Sequence, residues 1–244
     1  ANFTERFGFN PNELNKDLTL ILGSTVMTPI DIATGYATFA NGGYKIDPYF
    51  IDRIEDRHGN ILYQASPKIV CNDCLDISTP FPLKVKSAPE SLNENKAQAS
   101  EDSAKTFALQ TNSSSIIEST QSKYAPRVIS EQEAYIMQNI LQDVVKQRAG
   151  TAYRAQVELK RDDLAGKTGT TNDAVDAWFT GFNGDYVASV WVGYDTSIPL
   201  GAGEFGSKAA LPAWIDFMKV ALEGKPSNKL SQPPGIISLR IDPS

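Results

Sequence analysis

The segment AGKTGTT, Ala165 to Thr171, places a lysine, two glycines and three threonines where the neighbouring pattern calls for a strand. Side chains of an extended strand alternate between faces, so Thr168 and Thr170 project to one side and Lys167 and Gly169 to the other. The segment then offers two hydroxyls and a cation on a long stem, and Gly169 leaves no side chain between strand and ligand. On an edge strand, a peptide-like substrate can add by β-augmentation, with its carboxylate meeting the hydroxyls of Thr168 and Thr170 and Lys167. The backbone N–H of Thr170 is then available to an oxyanion. The plain alternative is a polar edge strand whose lysine and threonines guard against aggregation, since three-residue matches to K-T-G are common.

The other reactive residue types exclude more than they suggest. Cys71 and Cys74, in VCNDC, are the only cysteines, and His58, in DRHGN, is the only histidine. A structural zinc site needs four ligands, and a thioredoxin-like pair belongs in a βαβ context. Neither condition is met, which leaves a local disulfide in an oxidising compartment or two free thiols. His58 reads as a solvated turn residue, so any general base is expected to be another residue type. GAGEFG, Gly201 to Gly206, satisfies G-x-G-x-x-G, but Pro199 and further loop residues separate it from the preceding strand and no βαβ unit follows. It reads as a glycine-rich connection without a dinucleotide.

The chain has 244 residues, 41% of them hydrophobic, with a net charge of −6. It is long enough to bury a core, and its acidic balance argues against a nucleic-acid partner. No run approaches the ~20 apolar residues of a membrane-spanning helix, and no signal peptide is visible. Because it begins Ala-Asn-Phe, it reads as a piece of something longer or as a processed product.

The elements that must position AGKTGTT are legible in two well-patterned regions. After loop-like FGFNPNELNKD, the stretch TPIDIATGYATFANGGY predicts a helix capped by Thr28, with Pro29 in its first turn, stopped at Asn41-Gly42-Gly43, and with Ile32, Tyr36, Phe39 and Ala40 on one face. YFIDRIEDRHGNILYQ predicts a hairpin. From Lys84 to Lys123 polar residues dominate, which predicts a disordered insertion. SEQE, from Ser130, is a capping box ahead of a stripe at Met137, Ile140, Leu141, Val144 and Val145 that ends at Gly150. LAGKTGTT, AWFTGFN and YVASVWVGYD follow with tight turns and predict an antiparallel meander. ALPAWIDFMKVALEG then predicts a helix laying Trp214, Phe217, Met218 and Leu222 on that sheet. The fold class is α+β, an antiparallel sheet flanked by helices. The divisions are 1–67, 68–125 (the polar insertion with its CxxC), 126–225 and a C-terminal extension, 226–244.

AGKTGTTNDAVDAWFTGF, VWVGYD and LGAGEFGSKAALPAWIDFM, preceded by LGSTVMTPIDIATGYATFANGGY and QDVVKQRAGTAYRA, together resemble the transpeptidase domain of class A penicillin-binding proteins, nearest the 1a type. The order is right over nearly the whole chain outside the polar insertion. That family uses S-x-x-K for the nucleophile and its lysine, S-x-N in the proton relay, and K-T-G in the pocket. No serine here is followed three positions later by lysine. Ser91-Leu92-Asn93 fits S-x-N formally, but it falls inside the polar insertion and reads as coincidence.

The resemblance implies the C-terminal part of a periplasmic transpeptidase domain, holding three strands of a five-stranded sheet. An N-terminal segment of the same protein would carry S-x-x-K, S-x-N and the inner-membrane anchor, the chain's one link to a membrane. The implied protein is also a peptidoglycan glycosyltransferase. The implied chemistry is acyl transfer from D-Ala-D-Ala stem peptides through a serine ester, with β-lactams acylating the same serine and no metal or organic cofactor required. Lys167 and Thr170, the latter through its N–H, take the catalytic roles; Thr168, Gly169, Thr170 and Thr171 bind substrate. A lysine must act as base, well below its usual pKa of about 10.4, and a second cation such as Lys167 pushes in that direction. The alternatives are a D,D-carboxypeptidase or β-lactamase-like hydrolase sharing K-T-G, and a non-catalytic cell-wall binding module.

Overall fold

The computed structural model describes residues 3–71 and 123–239. Its centre is a three-stranded antiparallel sheet in the order β3-β4-β5: β3 is Ala165–Thr170, β4 Ala177–Phe182 and β5 Val187–Val192. The register runs from Ala165 opposite Phe182 to Thr170 opposite Ala177, and from Ala177 opposite Val192 to Phe182 opposite Val187. This is the expected meander, closed by short turns at Asn172–Ala174 and Asn183-Gly184-Asp185.

Helices cover both faces. α1, Pro29–Ala40, begins at a capping box in which Thr28 Oγ1 accepts from the Asp31 N–H and the Asp31 carboxylate accepts from the Thr28 N–H. α2, Glu131–Lys146, begins at a second such box between Ser130 and Glu133. Each satisfies donors that a helix start otherwise leaves unpaired. On one face, Ala40 of α1 and Leu141 of α2 meet Ala165 and Phe182, with Tyr36 and Phe39 packed alongside. On the other, α5, Leu211–Ala221, sets Leu211, Trp214, Ile215 and Met218 against Phe179 and Leu164. Trp214 meets Phe179 edge-on at 4.9 Å between centroids, a preferred aromatic geometry. A hairpin of β1, Arg53–Glu55, and β2, Ile61–Gln64, stands apart from this sheet, turned around the expected His58-Gly59-Asn60.

Several expectations need correction. α2 ends at Lys146, with Gln147 capping it, and not at Gly150. A helix absent from the sequence reading, α3 (Tyr153–Leu159), follows; it has no side-chain cap and ends on Lys160 with φ 52°, so neither end carries the usual capping residues. Of the α2 stripe, Leu141 and Val145 are buried, whereas Met137 and Ile140 stay exposed at 36% and 55%, because β3 lies against one flank of the helix only. Phe217 is also exposed, because the buried arc of α5 centres on Leu211, Ile215, Met218 and Leu222 and position 217 falls to its side. The loop-like start contains two 3-10 turns, Thr4–Phe7 and Leu18–Leu22.

Cys71 is disulfide-bonded, while Cys74, Ser91-Leu92-Asn93 and nearly all of the polar insertion lie outside the described residues. The chain on either side of that insertion is paired, Ile69 bridging Tyr124 and Tyr44 bridging Arg127. No helix among the described residues is long and apolar enough to cross a membrane.

Candidate functional site

The strand β3 is buried at its start and exposed at its end: Ala165 and Gly166 are buried, Lys167 and Thr170 exposed, Thr168 and Gly169 intermediate. Gly166 and Gly181 face each other across the ladder. A Cβ at Gly166 would lie 2.7 Å from Phe179 Cζ, and one at Gly181 would lie 2.7 Å from Trp214 Cζ2. The glycine pair therefore makes room for the two rings that hold the strand down.

The ladder fixes which backbone groups face outward. The Thr171 N–H donates to Asp176 O at 3.1 Å, the next bonded step beyond the Thr170–Ala177 pair. Antiparallel pairs alternate between bonded and non-bonded, so Gly166, Thr168 and Thr170 turn their N–H and C=O groups away from β4. Lys167 agrees with this, since its Nζ reaches 3.0 Å from Thr168 O and 3.3 Å from Thr168 Oγ1. Among the described residues no carboxylate pairs with Lys167. The exposed half of β3 thus sets an ammonium, two threonine hydroxyls and an outward N–H along one edge, a set suited to an extended ligand bearing an anionic group.

Both hydroxyls are held. Thr168 Oγ1 lies 2.9 Å from Thr151 Oγ1, on the segment between α2 and α3. Thr170 Oγ1 accepts the Gly206 N–H at 3.0 Å, at the start of α4, Gly206–Ala209. Thr171 is different: its Oγ1 accepts the Asp176 N–H at 2.8 Å, so its hydroxyl faces the turn into β4 and stands apart from the other two. Gly169 sits opposite Trp178, and a Cβ there would approach Trp178 Cβ at 3.1 Å. Trp178 in turn packs at 6.2 Å against Trp191, whose Nε1 donates to Asp176 at 2.8 Å. Sequence reasoning missed the contacts of Thr151 and Gly206 with β3; the only local hint was the odd GAGEFG string, where Gly201 and Gly203 take φ of 129° and 78° in the connecting loop.

Comparisons with known proteins agree with this architecture. A family model described as the penicillin binding protein transpeptidase domain matches residues 3–199. Penicillin-binding protein 1A of Pseudomonas aeruginosa is 45% identical over 248 residues, covering 99% of this chain and 28% of that protein. The Haemophilus influenzae protein of the same name is 36% identical over 283 residues, covering 99% of this chain and 32% of that protein. Its crystal structure superposes with a TM-score of 0.75 at 36% identity, over 99% of this chain and 33% of that one. The chain therefore spans about a third of the length of the relatives it matches. With the family model covering most of its length, the chain belongs to the penicillin-binding protein transpeptidase family.

Proposed function

We propose that this chain forms the substrate-binding edge of a D,D-transpeptidase that cross-links peptidoglycan stem peptides, within a longer periplasmic, membrane-anchored protein that also polymerises glycan. The observation that carries the proposal is the exposed half of β3, where Lys167, the hydroxyls of Thr168 and Thr170, and the outward Thr170 N–H lie along one edge. The stem peptide runs along β3 as an added strand, its terminal carboxylate held by the two hydroxyls and by Lys167. The Thr170 N–H donates to the carbonyl oxygen as negative charge builds there.

The chain contains no S-x-x-K, so the acylated serine and its lysine belong to another segment of the longer protein. That serine attacks the penultimate D-alanine carbonyl, D-alanine leaves with a proton, and an amine of a neighbouring stem takes the acyl group and frees the serine. A β-lactam presents a carboxylate and a strained amide in the same arrangement and stops at the serine ester. Lys167 adds positive charge beside the partner lysine and favours its neutral, proton-accepting form.

Labelling with a fluorescent penicillin tests the reading. The full-length protein should be labelled on a serine outside this chain, and Lys167→Ala should suppress labelling while the melting temperature holds. Label attached within residues 1–244, or normal labelling of Lys167→Ala, would overturn it.

A further inference from the structure

Gly206 touches the binding edge in a way that neither the family motifs nor the reaction scheme requires. Its N–H donates to Thr170 Oγ1 at 3.0 Å. Its Cα sits so close to the ladder that a Cβ would fall 2.2 Å from Trp178 O and 2.6 Å from Gly169 O. Both are backbone atoms, so nothing there can swing aside, and a side chain would force α4 away from the sheet. Glycine at this position is what lets an N–H from α4 reach a threonine on β3.

That contact decides how Thr170 can act. A hydroxyl carries one hydrogen and two lone pairs. With a lone pair turned to the Gly206 N–H, aiming the hydrogen at Gly206 would set donor against donor. The hydrogen is left to the exposed side of Thr170, as a donor ready for an anionic oxygen. Without the Gly206 N–H, the hydroxyl would rotate freely and lose part of its donor strength to that disorder.

We infer that Gly206 is a positioning residue, whose backbone N–H orients the Thr170 hydroxyl to donate to the carboxylate of the substrate or β-lactam. The inference rests on the functional reading above and extends it to the loop between β5 and α4. That loop is tied to the same corner of the sheet, since the Leu200 N–H donates to Ala174 O at 2.9 Å.

The test uses the full-length protein with glycolic acid in place of residue 206, introduced by nonsense suppression. This exchanges the N–H for an ester oxygen and adds no atom. Second-order acylation rates are measured with benzylpenicillin and with its methyl ester, which lacks the anionic carboxylate. The expected result is a fall of at least about fivefold for benzylpenicillin, little change for the methyl ester, and no further fall when Thr170→Val is already present. An equal loss for both compounds, or a loss that persists in the Thr170→Val background, would mean that Gly206 only supports the fold. Wild-type protein that takes no label would instead overturn the functional reading, and this inference with it.

Discussion

The Arg161 guanidinium holds both oxygens of the Asp163 carboxylate, Nε to Oδ1 at 2.9 Å and Nη2 to Oδ2 at 2.7 Å, just ahead of the strand that presents Lys167. Asp163 also accepts from Asn183 Nδ2 at 3.1 Å and from the Asn228 N–H at 2.9 Å. Arg161 donates onward to Lys225 O and Pro226 O, each at 2.8 Å. One carboxylate thus joins the start of β3, the turn between β4 and β5, and the segment after α5. The segment from 225 to 228, which spans the boundary between the 126–225 division and the C-terminal extension, is therefore bonded to the sheet.

Asp163→Asn should be strongly destabilising. Asp163 is fully buried and Arg161 is 14% exposed on its side chain, and removing one partner of a buried ion pair costs about 3–5 kcal/mol because the other charge is left uncompensated. Burial pushes the Asp163 carboxyl up, but Arg161, the Asn228 N–H and Asn183 outweigh it and hold its pKa below the ordinary 3.8. A depressed carboxylate contributes stability that is present above its unfolded pKa and is lost as pH falls through the lower folded value. Melting curves of wild type and Asp163→Asn should accordingly lie far apart at pH 7 and converge below about pH 3.8. A gap that stays constant into acid would rule out the ionised carboxylate as its source.

Gly166→Ala should destabilise the sheet while leaving every group at the binding edge in place chemically. The new Cβ would lie 2.7 Å from Phe179 Cζ and 2.9 Å from Thr180 O. The ring can shift but the carbonyl cannot, and overpacking of this kind costs about 1–3 kcal/mol. Denaturant unfolding should show a lower midpoint with an unchanged slope; an unchanged midpoint would mean that the strands separate without cost.

Thr151→Val should separate support of Thr168 from support of the fold. Thr151 is exposed, so stability should move by no more than about 0.5 kcal/mol. Its hydroxyl lies 2.9 Å from Thr168 Oγ1, and losing one neutral hydrogen bond is worth about 1 kcal/mol, or roughly a fivefold fall in acylation rate. Thr151→Ser should restore the rate. Failure of the serine to rescue would place the effect in packing.

What the sequence disclosed follows from how local each signal is. The cap at Thr28 and the capping box at Ser130 act within a single turn, and both appear where their residues predict. The meander was legible because the strands are short and their turns carry Asn, Gly and Asp. α3 was not, because Ala152 and Lys160 at its ends are not capping residues and its formation depends on Ala155 packing into the core beneath α5. Lys167, Gly169 and Thr170 could be read from alternation along one strand, whereas Thr151 and Gly206 reach the site only through space, from 17 and 36 positions away. The sequence does not disclose the bond between Thr171 and Asp176, because that depends on where the chain turns.

Thr170→Val and Lys167→Ala should divide the work of the edge. Valine keeps the shape of threonine and the backbone N–H that turns outward from β4, so Thr170→Val removes only the hydroxyl and its bond to Gly206. Loss of an oxyanion donor costs about 10²–10³ in rate; with that donor retained, the penalty should be smaller, about 1–3 kcal/mol for one hydrogen bond to a charged group. On the proposed function Lys167→Ala should cost more, because there Lys167 both faces the substrate carboxylate and biases the lysine of the other segment toward its neutral form. Lys167 is exposed, so Lys167→Ala should shift the melting temperature no more than surface changes ordinarily do, whereas Thr170→Val leaves the N–H of buried Gly206 without its acceptor and should lower stability by about 1–3 kcal/mol. If the edge were merely a polar strand, protected against aggregation by its lysine and threonines, both variants would change solubility slightly and acylation hardly at all. Second-order acylation rates of the full-length protein with benzylpenicillin, measured beside melting temperatures, decide between the two. Unchanged rates in both variants would leave Lys167–Thr170 without a role in binding, and the proposed function would fall with them.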